Sequence, residues 1–314
     1  MNEKVETKKR INWNDLAIVL ILLVLIVILA IIKPVFLSAE NLLNIMRQVT
    51  IVAILGIGMS YVLISAEIDL SVGSLAALSG IIVALTLKSG WNMGICIFLA
   101  LLASVFCGFL NGAIHTFAKI PSFIVTMGML NIARGVVLVI TNSYPITGLP
   151  AAFKVLGRGY LGPIPIPVII MVVCYVIGYI VLKYTKFGRS IYAIGGNIEA
   201  ARLSGIPVSR NKVLIHTISG LTAGIAGVVL ASRVFSGQPG AGNGLELDAI
   251  AACVIGGTST SGGKGRLWGT FLGALIMGII ANGMNLLNIS TNWQLIMQGT
   301  IIIVAVGLDR LKSD

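Results

Sequence analysis

The sequence predicts an all-α polytopic membrane protein, and three observations carry that prediction. Of the 314 residues, 57% are hydrophobic and only 11% charged, with a mean hydropathy of +1.00, a composition that no ordinary water-soluble domain has. The apolar residues fall into runs able to cross a bilayer, which takes about 20 residues of helix. The basic residues collect at the ends of these runs and favour one side. The net charge of +11 is therefore topological, and without a patch that mixes basic and aromatic residues it does not point to nucleic acid.

Residues 1–15 read as a cytoplasmic tail carrying Lys4, Lys8, Lys9 and Arg10. Residues 16–32 form the first span. The run is longer than a signal-peptide core, and Lys33-Pro34-Val35-Phe36 follows it where a small-residue cleavage site would stand, so it reads as a retained helix. Further spans fall near 49–65, 73–88, 92–117, 122–141, 164–182, 213–232, 246–258, 268–288 and 293–308. This gives about ten transmembrane helices, two of them short, in a membrane domain over 16–308, with 309–314 as a second cytoplasmic tail. With both ends inside, fifteen basic residues face the cytoplasm and six the outside (Lys33, Arg47, Lys88, Lys154, Arg158 and Arg233), while Arg134 lies within a span. An odd number of spans would scramble that asymmetry.

The short spans share a signature. Glu67-Ile68-Asp69 precedes the third helix and Glu246-Leu247-Asp248 opens the eighth, each leading into small residues. An Asn-Gly pair recurs later in each half, Asn111-Gly112 and Asn282-Gly283. On a ten-span topology the second half enters the membrane from the opposite side, so the pattern predicts inverted repeats, helices 1–5 against 6–10. Carboxylates in or near hydrocarbon are costly, so Asp69 and Asp248 are expected to cap helix N-termini, to meet a polar substrate, or both. Arg134 should point into the bundle towards a carboxylate or backbone carbonyls.

The glycines serve packing. Gly108/Gly112, Gly220/Gly224 and Gly269/Gly273 are small-xxx-small pairs on three spans, allowing close helix approach. An outer loop over 142–163, with Pro145, Pro150 and Pro163, reads as a rigid irregular cap. Cys96, Cys107, Cys174 and Cys253 lie in apolar runs without metal-site spacing, and His115 and His216 have no metal-ligand partners, so packing or interfacial hydrogen bonding is expected of all six and no metal site is predicted. Thr258 to Gly265 fails the phosphate-loop pattern at both ends. No acid, base and nucleophile set stands out, which argues against a membrane-embedded enzyme. A transporter built from this chain uses an ion gradient or borrows ATP hydrolysis from a partner.

Residues 183–212 are the long polar interruption, with six basic residues, and read as a cytoplasmic loop. They contain one short helix with both ends written in the sequence. Asn197 is its N-cap and Glu199 complements its dipole, while Gly205 suits a left-handed C′ position and Pro207 prevents continuation. About seven residues make it roughly 10 Å long. A capped helix standing in water suggests contact with a partner; the plain alternative is that it lies on the chain's own surface.

Three motifs in order, spread over about residues 40–310, carry a resemblance. They are Ile68-Asp69-Leu70-Ser71-Val72-Gly73-Ser74; Gly188-Arg189 with Ala193 to Asn197 and Glu199 to Ile206; and Gly242 with Glu246 to Ala252, Val254 to Ser259 and Gly262 to Gly265. Here the chain resembles the permease subunits of bacterial ATP-binding-cassette sugar importers, in the ribose, xylose, arabinose and galactose branch, with ribose permeases nearest. Glu67, where Gly is usual, and Cys253, where Val is usual, depart from it.

The resemblance implies a multi-pass protein of the bacterial cytoplasmic membrane, without catalytic residues. It implies that the helix with Gly195, Asn197, Glu199, Ala200, Ala201, Arg202, Leu203 and Gly205 docks on an ATPase subunit. ATP and Mg would be bound by that partner and no cofactor by this chain. The expected partners are an ATPase with two nucleotide-binding cassettes, a second permease chain, identical or homologous, an extracytoplasmic sugar-binding protein and membrane lipid. For a neutral polyhydroxylated sugar the pathway needs only sparse polar contacts, sought at Ser71, Asn111, Asn282 and Asn285, with Asp69, Arg134, Glu246 and Asp248 as further candidates for the pathway or gate. The alternatives are an ion-coupled carrier, an exporter or lipid-flipping permease, and an ATP-driven permease for another solute.

Overall fold

A computed structural model of the chain describes residues 13–313. The elements are helices, apart from one two-residue hairpin. The first five are α1 (Trp13–Ile32), α2 (Ala39–Ile64), α3 (Val72–Lys88), α4 (Met93–Phe117) and α5 (Ser122–Thr141). After α5 come the five-residue α6 (Lys154–Arg158), the hairpin β1 (Tyr160–Leu161) and β2 (Ile164–Pro165), and then α7 (Ile166–Tyr184). The polar central segment holds α8 (Lys186–Gly196) and α9 (Ile198–Leu203). The remaining helices are α10 (Val208–Val234), α11 (Leu245–Ile255), α12 (Leu267–Leu286) and α13 (Thr291–Ser313). Six of these, α2, α4, α5, α7, α10 and α12, are long and apolar enough to cross a membrane.

Helices α2 and α10 form the core. From Val49 to Ile64 α2 is buried throughout, including Tyr61, and α10 packs against α2, α3 and α4. Small residues make this possible. A methyl group added to Gly108 of α4 would lie 3.0 Å from the Gly220 Cα of α10, and one on Gly112 would lie 2.7 Å from the Val213 Cα, so the backbones cross almost in contact. On α12, Gly269 and Gly273 meet Gly256 and Ala252 in the same manner. The outward faces of α4, α5 and α7 remain apolar, with Phe98, Phe106, Ile132, Val139, Val173 and Ile177 exposed, as suits helices facing lipid.

The structure departs from the sequence reading in three places. The polar segment holds two helices: α8 precedes α9, capped by Thr185, whose Oγ1 accepts from Gly188 N at 3.0 Å. Helix α10 begins at Val208, so Lys212 belongs to a helix and not to a loop. Helix α2 begins at Ala39, ten residues before the apolar run, because Ser38 caps it by accepting from Asn41 N. Hydropathy marks where lipid is, while caps mark where helices end. The outer cap is also more regular than expected: it contains α6 and the hairpin, Phe153 is fully buried in it, and Ile146 pairs with Gly237.

Gly220→Val is expected to overpack the α4–α10 crossing and cost about 1–3 kcal/mol. Thermal unfolding in detergent checks this against Gly128→Ala, which faces open space and is expected to leave the melting temperature unchanged or slightly raised.

Candidate functional site

Between α2 and α3 the chain leaves helical geometry. Ala66 takes a left-handed conformation at φ 62°, and the connection's backbone donors find partners on the neighbouring helix: Ile68 N donates to Ser122 Oγ at 3.2 Å and Leu70 N to Thr126 Oγ1 at 3.1 Å. This satisfaction is what lets non-helical backbone lie within a bundle. The connection carries Glu67, Asp69 and Ser71, all buried.

Glu67 is the centre of a charged seam. Its Oε1 lies 2.8 Å from His115 Nε2 on α4 and 2.7 Å from Lys212 Nζ on α10; its Oε2 lies 2.8 Å from His216 Nε2, also on α10. Burial alone would raise its carboxyl group, but hydrogen bonds to His115 and His216 and the charges of His216 and Lys212 outweigh it and hold the group well below the ordinary carboxylate range. Asp69 continues the seam inward. Its Oδ1 accepts from Ser71 N at 2.9 Å and Ser71 Oγ at 2.6 Å, its Oδ2 accepts from Ser219 Oγ at 2.7 Å, and Asn111 Nδ2 donates to Ser71 Oγ at 2.9 Å. Thus Asp69, Ser71 and Asn111, singled out separately in the sequence, form one chain of hydrogen bonds. Asn111 Oδ1 and His216 Nδ1 are buried there without a partner.

Sequence reasoning missed the two histidines and Lys212 as members of this seam. Position 67 differs from the usual Gly of the resembled permeases, and that acid was the one available signal. The distances of 48 and 149 residues separating it from the histidines in the chain carried no pattern.

The N-termini of α3 and α11 meet inside the bundle. A methyl group on Gly73 would strike the Gly242 carbonyl and the Glu246 carboxylate, and one on Gly242 would strike the Gly73 carbonyl. Arg134 donates to the Pro239 and Ala241 carbonyls at 2.6 and 2.8 Å, fixing the loop before α11. Asp248 accepts from Gln298 of α13. The other two candidates lie elsewhere. Asn282 exchanges hydrogen bonds with Asn41 at 2.8 and 3.1 Å, and Asn285 accepts from Gln294 at 2.9 Å.

Helix α9 stands as its caps dictate. Asn197 Oδ1 accepts from Ala200 N at 2.9 Å, and Gly205 takes φ 78°. Glu199 and Arg202 pair at 3.2 Å on the exposed face; Ala201 turns inward, whereas Leu203 is 88% exposed. Just before α9, Gly195 abuts the Ile64 carbonyl at the end of α2, and that carbonyl accepts from Gly263 N at 2.8 Å. The last turn of α8 is thereby seated on the end of α2 and on the α11–α12 loop, and α9 follows directly from it. Among the described residues no group of three or more His, Cys, Asp or Glu side chains is placed to hold a metal ion.

Apolar helices around a polar seam, with a capped helix standing off one end, define a polytopic membrane permease. The chain belongs to the family described as branched-chain amino acid transport system / permease component, which matches residues 41–306. It is 46% identical over 294 residues to the ribose import permease protein RbsC of Bacillus subtilis, covering 93% of this chain and 91% of that one. It is 41% identical over 296 residues to RbsC of Escherichia coli (93% and 92%), and 37% identical over 336 residues to the xylose transport system permease protein XylH of Escherichia coli (87% and 86%). No solved structure matches the chain. The protein is a multi-pass membrane protein and a transport component.

Glu67 has a lower carboxyl pKa folded than unfolded, so its contribution to stability is fully present above the unfolded value, about 4.3, and is lost as pH falls towards the folded one. The melting temperature in detergent is therefore expected to hold from neutral pH to about 5 and to drop below that, with a shallower drop in E67Q. Lys212→Ala, which leaves the buried carboxylate to its two histidines, is expected to cost up to about 3 kcal/mol near neutral pH. For the amide pair, N41L and N282L are each expected to cost about 1–3 kcal/mol, and the double variant less than their sum in a double-mutant cycle.

Proposed function

We propose that the chain is the membrane-spanning subunit of an ATP-binding-cassette importer and carries a monosaccharide, ribose or a close relative, into the cell. One observation carries the reading: α9, capped at both ends and presenting Leu203 and the Glu199–Arg202 pair to solvent, in a chain closely related to ribose import permeases. A leucine beside an ion pair on a capped helix offers another protein a small contact face, one apolar and two charged side chains. That protein is an ATPase subunit with two nucleotide-binding cassettes; ATP and Mg are bound there, and this chain binds no cofactor of its own. A sugar-binding protein delivers substrate at the outer loops, and a second permease chain, identical or homologous, completes the assembly.

The fold behind this reading has ten crossings, α1–α5, α7 and α10–α13, with both termini in the cytoplasm, and it repeats with inversion. The meeting of α3 and α11 by their N-termini supports the inversion, since two short helices reaching the bundle centre from opposite sides build the binding point of many alternating-access proteins. The pathway runs past Asp69, Ser71, Asn111, Glu246 and Asp248. Arg134 holds its outer loop, and Asn282 and Asn285 steady its outer half. A second reading, an ion-coupled carrier, draws on the buried acids and histidines of the seam.

The test is uptake of labelled ribose by proteoliposomes holding this chain, the ATPase and the binding protein. Uptake is expected to need ATP, and L203D with R202E is expected to lower it more than about tenfold, beyond the 1.4 kcal/mol that a tenfold loss of docking affinity represents, with the melting temperature unchanged. Ribose uptake driven by an ion gradient in liposomes of this chain alone would sink the proposal and establish the carrier.

A further inference from the structure

We propose that Glu67, His115, His216 and Lys212 together bind one proton, and that this proton latches the α2–α3 connection to α4 and α10 at the cytoplasmic end of the bundle.

The close approach of His115 to Glu67 favours the proton. His115 Nδ1 lies 2.6 Å from the Ile120 carbonyl; a carbonyl oxygen only accepts, so Nδ1 carries hydrogen. On the other edge of the ring, Nε2 lies 2.8 Å from Glu67 Oε1. A neutral imidazole already protonated at Nδ1 offers a lone pair there, and a carboxylate offers another. Two acceptors do not face each other at that distance, so a proton lies between them. Lys212 Nζ donates to the same oxygen at 2.7 Å, and its longer 3.3 Å approach to the nitrogen is the contact that would take over if the proton left. His216 donates from Nε2 to the other carboxylate oxygen, leaving Nδ1 unpartnered 3.8 Å from Asp69 Oδ2.

Charge balance agrees. The connection brings Glu67 and Asp69; α4 brings His115; α10 brings His216 and Lys212; and α5, packed on the same connection, brings the neutral hydroxyls of Ser122 and Thr126. With the proton in place, two carboxylates face Lys212 and one extra positive charge, a neutral set. Without it the buried set is negative and two acceptors oppose each other. Buried charge is tolerated when paired and balanced, so release of the proton loosens the tie.

The latch lies where movement of α9 arrives. Lys212 is in the first turns of α10, which follows directly from the α9 segment, and Glu67 lies three residues beyond Ile64, whose carbonyl Gly195 abuts. A shift of α9, passed through α8 to the end of α2 and through the start of α10 to Lys212, pulls on both sides of the tie. This gating consequence rests on the permease reading; the proton site does not.

The chain has only two histidines, so nitrogen NMR of histidine-labelled protein in nanodiscs reads both without ambiguity. One imidazole is expected to show both nitrogens protonated at neutral pH, and in E67Q neither imidazole is expected to do so. Identical titrations in the two proteins overturn the site. In the assembled transporter, sugar-independent ATP hydrolysis is expected to rise several-fold as cytoplasmic-side pH increases, and the rise is expected to flatten in E67Q. If the NMR difference is found but E67Q keeps the wild-type hydrolysis profile, the latch is overturned and the proton site stands. If no ATP-driven uptake occurs at all, the permease reading fails while the NMR still decides the site. Movement of one proton with each sugar overturns the latch in favour of a coupled carrier. Should E67Q not fold, H115Q serves, with a flattened hydrolysis profile supporting the latch and a wild-type one overturning it.

Discussion

A carboxylate taken out of water must be surrounded by donors, and Glu67 is such a carboxylate. Its three donors come from two helices, so burying it fixes α4 and α10 relative to the connection between α2 and α3. The donors reach it only because the helix backbones are close. A side chain at Gly112 would lie 3.2 Å from the His216 Cβ and 2.7 Å from the Val213 Cα, forcing α10 and its histidine away. The glycine crossing and the charged seam are thus one arrangement: the crossing sets the separation, and the seam uses it. Membrane interiors supply little hydrophobic force between helices, so this combination of close packing with satisfied charge holds α10 at the centre.

The class of protein was legible from composition alone, because a chain this apolar has no other home. The caps of α9 were legible to the residue, since Asn197 and Gly205 act through local backbone geometry that sequence encodes directly. The glycine pairs were legible as contacts, although not which helix each would meet. Helix starts were read poorly where a polar first turn precedes an apolar run, as in α2, whose Glu40, Asn41, Asn44 and Arg47 look like loop until Ser38 is recognised as the cap. Helix α8 was lost because glycines and charges masked an 11-residue amphipathic turn pattern. The seam was illegible for a different reason: His115, Lys212 and His216 acquire meaning only when three distant segments pack, and nothing local distinguishes them from packing histidines or a topological lysine. Asn282, picked out by residue type for the pathway, exchanges hydrogen bonds with Asn41, a pairing between helices that no local pattern announces.

The short helices place the two acid pairs in different company, and this asymmetry bears on mechanism. Glu67 and Asp69 stand before α3, in non-helical backbone, and meet two histidines, a lysine and Ser219. Glu246 and Asp248 stand within the first turn of α11, where the dipole favours negative charge, and meet Gly73 and Gln298. Sequence likeness between the halves therefore does not extend to charge. The seam that contains histidine lies beside the seat of α8, from which α9 follows, and the acid pair without histidine lies at the other short helix. If transport alternates between openings at the two ends, the proposed latch would hold the side that carries the histidines, and a movement of α8 or of the first turns of α10 would reach it. Under the proposed import of a sugar, one barrier would yield to the ATPase and the other to a delivery protein, and the two acid pairs, one met by histidines and lysine and the other by the dipole of α11, are where such a difference would be built.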